Sequence, residues 1–295
     1  MAKFLHPERE TQNRIVKFFE KELGYKYLCN LGDEENFNIR WGDWKKFLSD
    51  SGYSAPFVES LQNEFNKMLA DFSQSPYHTN KEVYRILKYG LKLAEFSGEA
   101  PKTVYFINWE EPEKNNFYIA EEVTVNGNVE KRPDIVLYIN GIAIAVMELK
   151  KSTVSVADGI RQNVTNQREQ FIQRFFSTIQ ICVAANDSEG LRYGTSGTTE
   201  KYYLEWKEDN FTDQLQDKDD LDKILEGKCS KQLNLLEQQC YRIFQKERLL
   251  DIIHNFIIFD SGIKKICRYN QFYAIKRCEK RLSRNQGGIV WHTQG

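Results

Sequence analysis

The chain has 295 residues, 41% of them hydrophobic, enough to bury the core of one large domain or two ordinary ones and too many for a disordered protein. A formal net charge of -1 excludes a surface coated throughout for nucleic acid, so any DNA contact must be local. No stretch approaches the roughly 20 uninterrupted apolar residues of a membrane-spanning helix, and MAKFLHPERETQ lacks the apolar core of a signal peptide; a soluble, cytoplasmic protein without a membrane partner is expected.

Residues 1–100 read as helical, because apolar residues recur at steps of three and four: Ile15, Val16, Phe19 and Leu23, then Phe57, Leu61, Phe65 and Leu69, then Val83, Ile86, Leu87 and Leu91. Pro7 suits the first turn of the first helix, and Gly24 follows its end. From about 103 to 206 the texture changes to short β-rich runs at 117–125, 135–139, 142–149 and 179–185. Residues 156–176, with Ile160, Val164, Phe171 and Phe175 near helical spacing, read as a crossover helix covering that sheet. A charged stretch at 207–222 breaks the pattern and suggests a domain boundary near 225. Helical runs resume around Leu233 and at 248–258, and the closing GGIVWHTQG reads as a short buried strand entering a glycine turn. The fold class is therefore α/β, a mixed central sheet flanked by helices.

Six cysteines at wide, irregular spacings include no CxxC pair and are expected to be reduced, mostly buried thiols. Four histidines form no metal-ligand or HNH-like spacing. Between 264 and 284, Lys264, Lys265, Arg268, Lys276, Arg277, Lys280, Arg281 and Arg284 face one acidic residue, Glu279. That run is either a nucleic-acid track or a solvated helix face.

The chemistry-bearing segment is RPDIVLYINGIAIAVMELKKS, residues 132–152. A carboxylate precedes one apolar strand, an Asn-Gly turn follows, and the next apolar strand ends in Glu-Leu-Lys. Buried carboxylates close together repel unless a cation or protons offset their charge. Alternation puts Glu148 and Lys150 on one face. A two-residue loop at Asn140-Gly141 pairs Ile139 with Ile142 and turns Asp134 to the opposite face. A three-residue loop of Ile139, Asn140 and Gly141 pairs Tyr138 with Ile142 and Asp134 with Val146, so that all three charges share a face. The second arrangement, or a bend with the same effect, is expected. Asp134, Glu148 and the Leu149 carbonyl would then offer oxygen ligands to Mg²⁺, and Lys150 would orient or deprotonate the attacking water and offset developing charge. A structural ion pair at a strand end is the plainer explanation of the same residues.

The segment resembles the restriction subunit of type I restriction-modification enzymes. The likeness extends through IAEEVT (119–124), GIRQN (159–163), AANDSEGLRYGT (184–195), IIHNFIIFDSGIKKICRYNQFYAIK (252–276) and GGIVWHTQG. It implies a PD-(D/E)xK nuclease fold over 1–225, followed at 226–295 by linker helices and the incomplete start of a helicase-like motor domain. It also implies Mg²⁺-dependent cleavage of double-stranded DNA in a complex with methylation and specificity subunits, with ATP used only by the full-length subunit. Asp134, Glu148 and Lys150 match the nuclease motif, and Gln162 matches the glutamine of a Q...Y motif, although Asn166 stands where that motif has tyrosine.

Glu8, on the apolar stripe of the first helix, is a candidate supporting carboxylate. The helix dipole alone also favours an acid there. Gln271 resembles an adenine-reading glutamine, and Thr293, Gln294 and Gly295 resemble the first half of a phosphate-binding loop that lacks its lysine, so no ATPase activity is expected here. The competing reading is a non-catalytic docking module joining the motor to the other subunits.

Overall fold

The computed structural model describes residues 8–32, 37–71, 73–207 and 233–291. The boundary expected near 225 lies outside the described residues. The N-terminal part supplies α1 (Glu8–Lys21), β1 (Lys26–Asn30), α2 (Trp41–Asp50), α3 (Ala55–Leu69), α4 (Pro76–Tyr89) and a small β2–β3 ribbon (Leu91–Leu93 with Lys102–Val104). Its apolar stripes fall largely on helices, but Leu91, counted in the third stripe, lies beyond the end of α4 and opens β2, and residues 26–30 are a strand. Four of those five residues are exposed or edge-like in character, so no alternation marked them.

The central sheet continues with β4 (Phe117–Glu121), β5 (Ile135–Ile139), β6 (Ile142–Leu149), β7 (Ile181–Asn186), β8 (Gly190–Gly194) and β9 (Leu204–Glu205). Its order is β1-β4-β5-β6-β7-β8-β9. The β1–β4 and β6–β7 pairs are parallel and the rest antiparallel, giving a mixed sheet. The parallel β6–β7 step requires a crossover, supplied by α5 (Val156–Asn166). This helix is shorter than expected: after Asn166 the chain turns and makes a 3₁₀ segment at Gln173–Ser177, whose Phe175 and Phe176 plug the same sheet face from a different backbone. Likewise the run expected at 117–125 stops at Glu121, because Glu122 adopts φ 52° and turns the chain.

Further on come α6 (Leu235–Phe244), α7 (Lys246–Asn255), a β10–β11 hairpin (Ile257–Asp260 with Ile263–Ile266) and α8 (Tyr269–Ser283). The helix expected to reach 258 ends at Asn255, where Ile257 and Ile258 enter the hairpin. The strand expected from GGIVW is not formed: residues 286–291 have no regular structure, and Ile289 and Trp291 are 91% and 85% exposed. An apolar run becomes a strand only where a neighbour takes its hydrogen bonds, and no described strand pairs with it. Among the described cysteines, Cys182, Cys240 and Cys267 are buried thiols, whereas Cys29 is exposed.

One face of the sheet packs against α1 to α4 and α6 to α8 through a continuous core that includes Phe19, Trp44, Phe65, Leu137, Ile144, Met147, Phe244 and Ile253. The other carries Val136, Tyr138, Val146, Phe175, Phe176 and Cys182, with α5 alongside. Two attachments hold the periphery. Arg14 of α1 pairs with Asp187 at the β7–β8 turn and with Glu237 of α6 (2.6 Å), while Thr11 Oγ1 donates to Asp187 at 2.9 Å. Lys264 of β11 is buried rather than part of a surface track; its Nζ donates to Asn80 Oδ1 (2.8 Å), Gln180 Oε1 (2.7 Å) and the Ile179 carbonyl (3.2 Å). Of the remaining basic run, Lys276 pairs with Asp251 and Glu279, while Arg277, Arg281 and Arg284 are exposed.

The β5–β6 hairpin decides where the charged residues fall. Ile139 pairs with Ile142, so the loop has two residues, not three. Asn140 (φ 50°) and Gly141 (φ 83°) both occupy the left-handed region that such a turn requires. The extra residue comes later: Tyr138 pairs with Ala143 but Leu137 pairs with Ala145, which leaves Ile144 as a bulge. Ile144 and Ala145 both pack into the helical-side core, and Ile135 then pairs with Met147. The next residues outward, Asp134 and Glu148, thus come opposite each other on one face. The bulge has the effect assigned by expectation to the loop.

The turn is locked from outside. Asn140 Nδ2 donates to the Phe106 carbonyl (2.9 Å) and to Asn115 Oδ1 (2.8 Å), and its Oδ1 accepts from the Asn116 amide at 2.7 Å. A Cβ at Gly141 would lie 2.6 Å from the Arg40 carbonyl oxygen and 2.8 Å from the Trp44 amide nitrogen. Gly141→Ala should therefore lower unfolding free energy by roughly 3 kcal/mol, combining left-handed strain with a backbone clash. Urea denaturation checks this; a loss below about 1 kcal/mol would contradict the locked turn.

Candidate active site

Three strand-borne charges meet at the end of β5 and β6. Glu148 is fully buried. Its Oε1 accepts a hydrogen bond from Asn166 Nδ2 on α5 at 3.3 Å, and its Oε2 is buried with no hydrogen-bond partner. Asp134 reaches across from the start of β5, where its Oδ2 accepts the Leu149 amide at 2.7 Å. Lys150, two residues beyond Glu148, is largely covered, and its ammonium stands 3.8 Å from Glu8 Oε1 on the first turn of α1. The backbone amide of Lys150 continues the sheet by donating to the Ala185 carbonyl at 2.9 Å.

Electrostatics follow from that burial. Desolvation pushes the Asp134 carboxyl up to about 6 despite the opposing pull of the Leu149 amide and Lys150. Glu148 is raised well above the usual carboxylate range, first by burial and then by the charge of Asp134. Two acids that resist ionising and one bare buried oxygen fit a hard divalent cation, whose charge would offset both penalties. Among the described residues no group of three or more His, Cys, Asp or Glu side chains is placed to hold a metal. A cation here would rest on Asp134 and Glu148, with further oxygens from peptide and water.

The helix α5 comes close because of Gly159. A Cβ there would approach the Ala184 Cβ to 3.1 Å and the Glu148 carbonyl oxygen to 3.4 Å. Ser155 caps the helix by accepting from the Ala157 amide, and the Asn163 side chain donates to the Val183 carbonyl at 2.7 Å. This packing delivers Asn166 to Glu148. Gln162 lies one turn earlier on α5, half-buried, and makes no hydrogen bond to either carboxylate.

Sequence reasoning left Asn166 without a role and passed over a second group. Gln12 of α1 is 2% exposed, and its Nε2 lies 3.2 Å from the Asp134 carbonyl oxygen, 3.2 Å from Glu121 Oε2 and 3.1 Å from Glu122 Oε1. Arg9 pairs with both Glu121 (3.3 Å) and Glu122 (3.0 Å). The available signal was a glutamine on the apolar stripe of α1, where a buried amide needs partners. Gln271 acts locally at the start of α8, accepting from the Arg268 amide at 2.9 Å. Thr293, Gln294 and Gly295 lie outside the described residues.

A mixed α/β sheet that presents an acidic pair and a lysine at one strand end defines a class of protein, and the comparisons narrow it. Residues 6–201 match the family described as Type I restriction enzyme R protein N terminus, and the chain belongs to that family. It is 29% identical over 308 residues to an endonuclease subunit of Methanocaldococcus jannaschii assigned to type I restriction enzyme MjaIXP, covering 93% of this chain and 29% of the relative. It is 28% identical to the same organism's subunit assigned to MjaVIIIP, over 100% of this chain and 28% of the relative. It is 26% identical to the Type I restriction enzyme HindI endonuclease subunit of Haemophilus influenzae, over 73% and 21% respectively. The chain thus spans less than a third of the length of these relatives. Among the described residues no helix is long and apolar enough to cross a membrane.

The raised Asp134 value has a stability consequence. An acid whose folded pKa rises from 3.8 to about 6 keeps a proton that the unfolded chain releases, so its contribution is lost as pH climbs through that window. Cation-free protein should lose up to about 3 kcal/mol from this group between about pH 4 and pH 7. Asp134→Asn, which can still accept the Leu149 amide, should remove that dependence and be more stable than wild type at pH 8. Urea titrations of both proteins in chelator decide it, and parallel pH profiles would show that Asp134 ionises freely.

Proposed function

We propose that this chain is the nuclease portion of a type I restriction enzyme subunit, a PD-(D/E)xK site that hydrolyses DNA phosphodiester bonds with Mg²⁺. The observation that carries the reading is the buried Glu148 Oε2, without a hydrogen-bond partner, beside Asp134 and two residues from Lys150 on the same strand end. A purely structural ion pair would satisfy that oxygen, since an orphaned buried carboxylate oxygen is costly. Membership of the R-protein family supports the same reading.

Asp134 and Glu148 would hold the cation, with the Leu149 carbonyl as a third protein oxygen. Bound there, Mg²⁺ supplies Lewis-acid polarisation of the phosphate and acidifies a water. Lys150 directs its ammonium toward the attacking water and offsets negative charge growing on the phosphate oxygens. Glu8 restrains the Lys150 ammonium from α1, Asn166 restrains one oxygen of Glu148, and Gln162 stands on the α5 face available to support the site or the DNA backbone. One site cuts one strand, so a double-strand break takes two.

In the complete subunit this head would work with an ATP-driven motor and with methylation and specificity subunits, which would leave contacts here mainly to phosphates. Glu148→Ala or Asp134→Ala in the assembled enzyme should reduce DNA cleavage on the order of 1,000-fold while ATP-driven translocation persists. EDTA should abolish cleavage in the unaltered enzyme. Cleavage that survives either substitution would favour a docking module instead.

A further inference from the structure

We infer that Gln12 is a positioning residue that sets the separation of Asp134 from Glu148 and thereby the affinity of the site for a divalent cation. The inference rests on the nuclease reading above and assigns a determinant that the strand motif does not contain.

Asp134 and Glu148 are supported differently. Glu148 stands inside β6, with β7 on the other side and Asn166 on one carboxylate oxygen. Asp134 lies just ahead of β5, where regular pairing with β4 ends. Its carbonyl oxygen takes only two hydrogen bonds among those described: from the Glu122 amide at 3.0 Å and from Gln12 Nε2 at 3.2 Å. Glu122 is itself held at φ 52°, a conformation that a glutamate does not keep without external support. The Asp134 carboxylate is tied to the Leu149 amide at 2.7 Å, while the placement of its backbone depends on the Glu121–Glu122 corner.

Gln12 is what makes that corner tolerable. An amide NH₂ has two protons, shared here among Glu121 Oε2, Glu122 Oε1 and the Asp134 carbonyl oxygen. Tyr27 Oη donates to the far oxygen of Glu121 at 2.7 Å, not to Glu122 or Asp134. Arg9 bridges the two glutamates, but its side chain is half exposed. Without Gln12 the Glu121 and Glu122 carboxylate oxygens would lose their buried donor, and the Asp134 carbonyl oxygen would keep the Glu122 amide alone. The corner would open, and Asp134 would move relative to a Glu148 that stays in place. The arm that carries Gln12 is fixed, because its neighbours Thr11 and Arg14 are tied to Asp187, and Arg14 also to Glu237.

The test is Mn²⁺ binding to the full chain, followed by electron paramagnetic resonance, together with thermal unfolding. Wild type should bind Mn²⁺ at a site that Glu148→Ala removes. Gln12→Met keeps the buried volume and loses the donors; it should weaken Mn²⁺ binding about 10-fold or more, in the range found for residues that orient metal ligands. Tyr27→Phe should stay within about 2-fold of wild type, since it loosens Glu121 alone. A Gln12→Met protein that binds Mn²⁺ like wild type, whatever its melting temperature, overturns the inference and leaves the nuclease reading intact. Wild type without Glu148-dependent binding overturns both. Should the Met variant not fold, Gln12→Asn, whose amide falls one methylene short of the corner, carries the same expectation.

Discussion

A β-strand shows each face only every second residue, so two side chains on neighbouring strands meet only when the count of residues between them has the right parity. The β5–β6 hairpin satisfies that constraint with one additional residue. Its two-residue turn alone would send Asp134 to the face away from Glu148, and the bulge at Ile144 restores the match. What lies around the site depends on that correction: α5 approaches the face it selects, Asn166 meets Glu148, and the first turns of α1 reach Asp134 and Lys150 around the sheet end.

The opposed carboxylates make this strand end electrostatically expensive. Strand β6 is buried along its whole length, so Glu148 has little water to share its charge, and Asp134 adds repulsion. The protein offsets part of this with the Leu149 amide, the Asn166 amide and Lys150, and leaves one oxygen uncompensated. The uncompensated oxygen is tolerated beside the extensive helical-side core.

Much of this was legible in the sequence where burial is one-sided. The stripes of α1, α3 and α4 announced their helices, and the β5 and β6 runs announced a buried hairpin with charges at its end. The Asn-Gly pair is the strongest sequence signal for a two-residue turn, and the structure follows it; the bulge at Ile144 left no mark, because an isoleucine suits either face of an apolar strand. Strand β1 was hidden by its exposure. The crossover helix looked too long because Phe171 and Phe175 mimic helical spacing while belonging to a turn and a 3₁₀ segment. Of the site, the strand motif carried its own three residues, but Gln12 and Asn166 act only through long-range contacts that spacing does not encode.

The two peripheral attachments also differ in what dissolved salt can do to them. Arg14 holds α1 through partly exposed carboxylates of Asp187 and Glu237, an arrangement that mobile ions can screen. Lys264 holds the β10–β11 hairpin through neutral oxygens in a buried pocket, where no opposing charge is shared with solvent. Rising ionic strength therefore weakens the ties of α1, the helix that carries Gln12, before it reaches those of the hairpin.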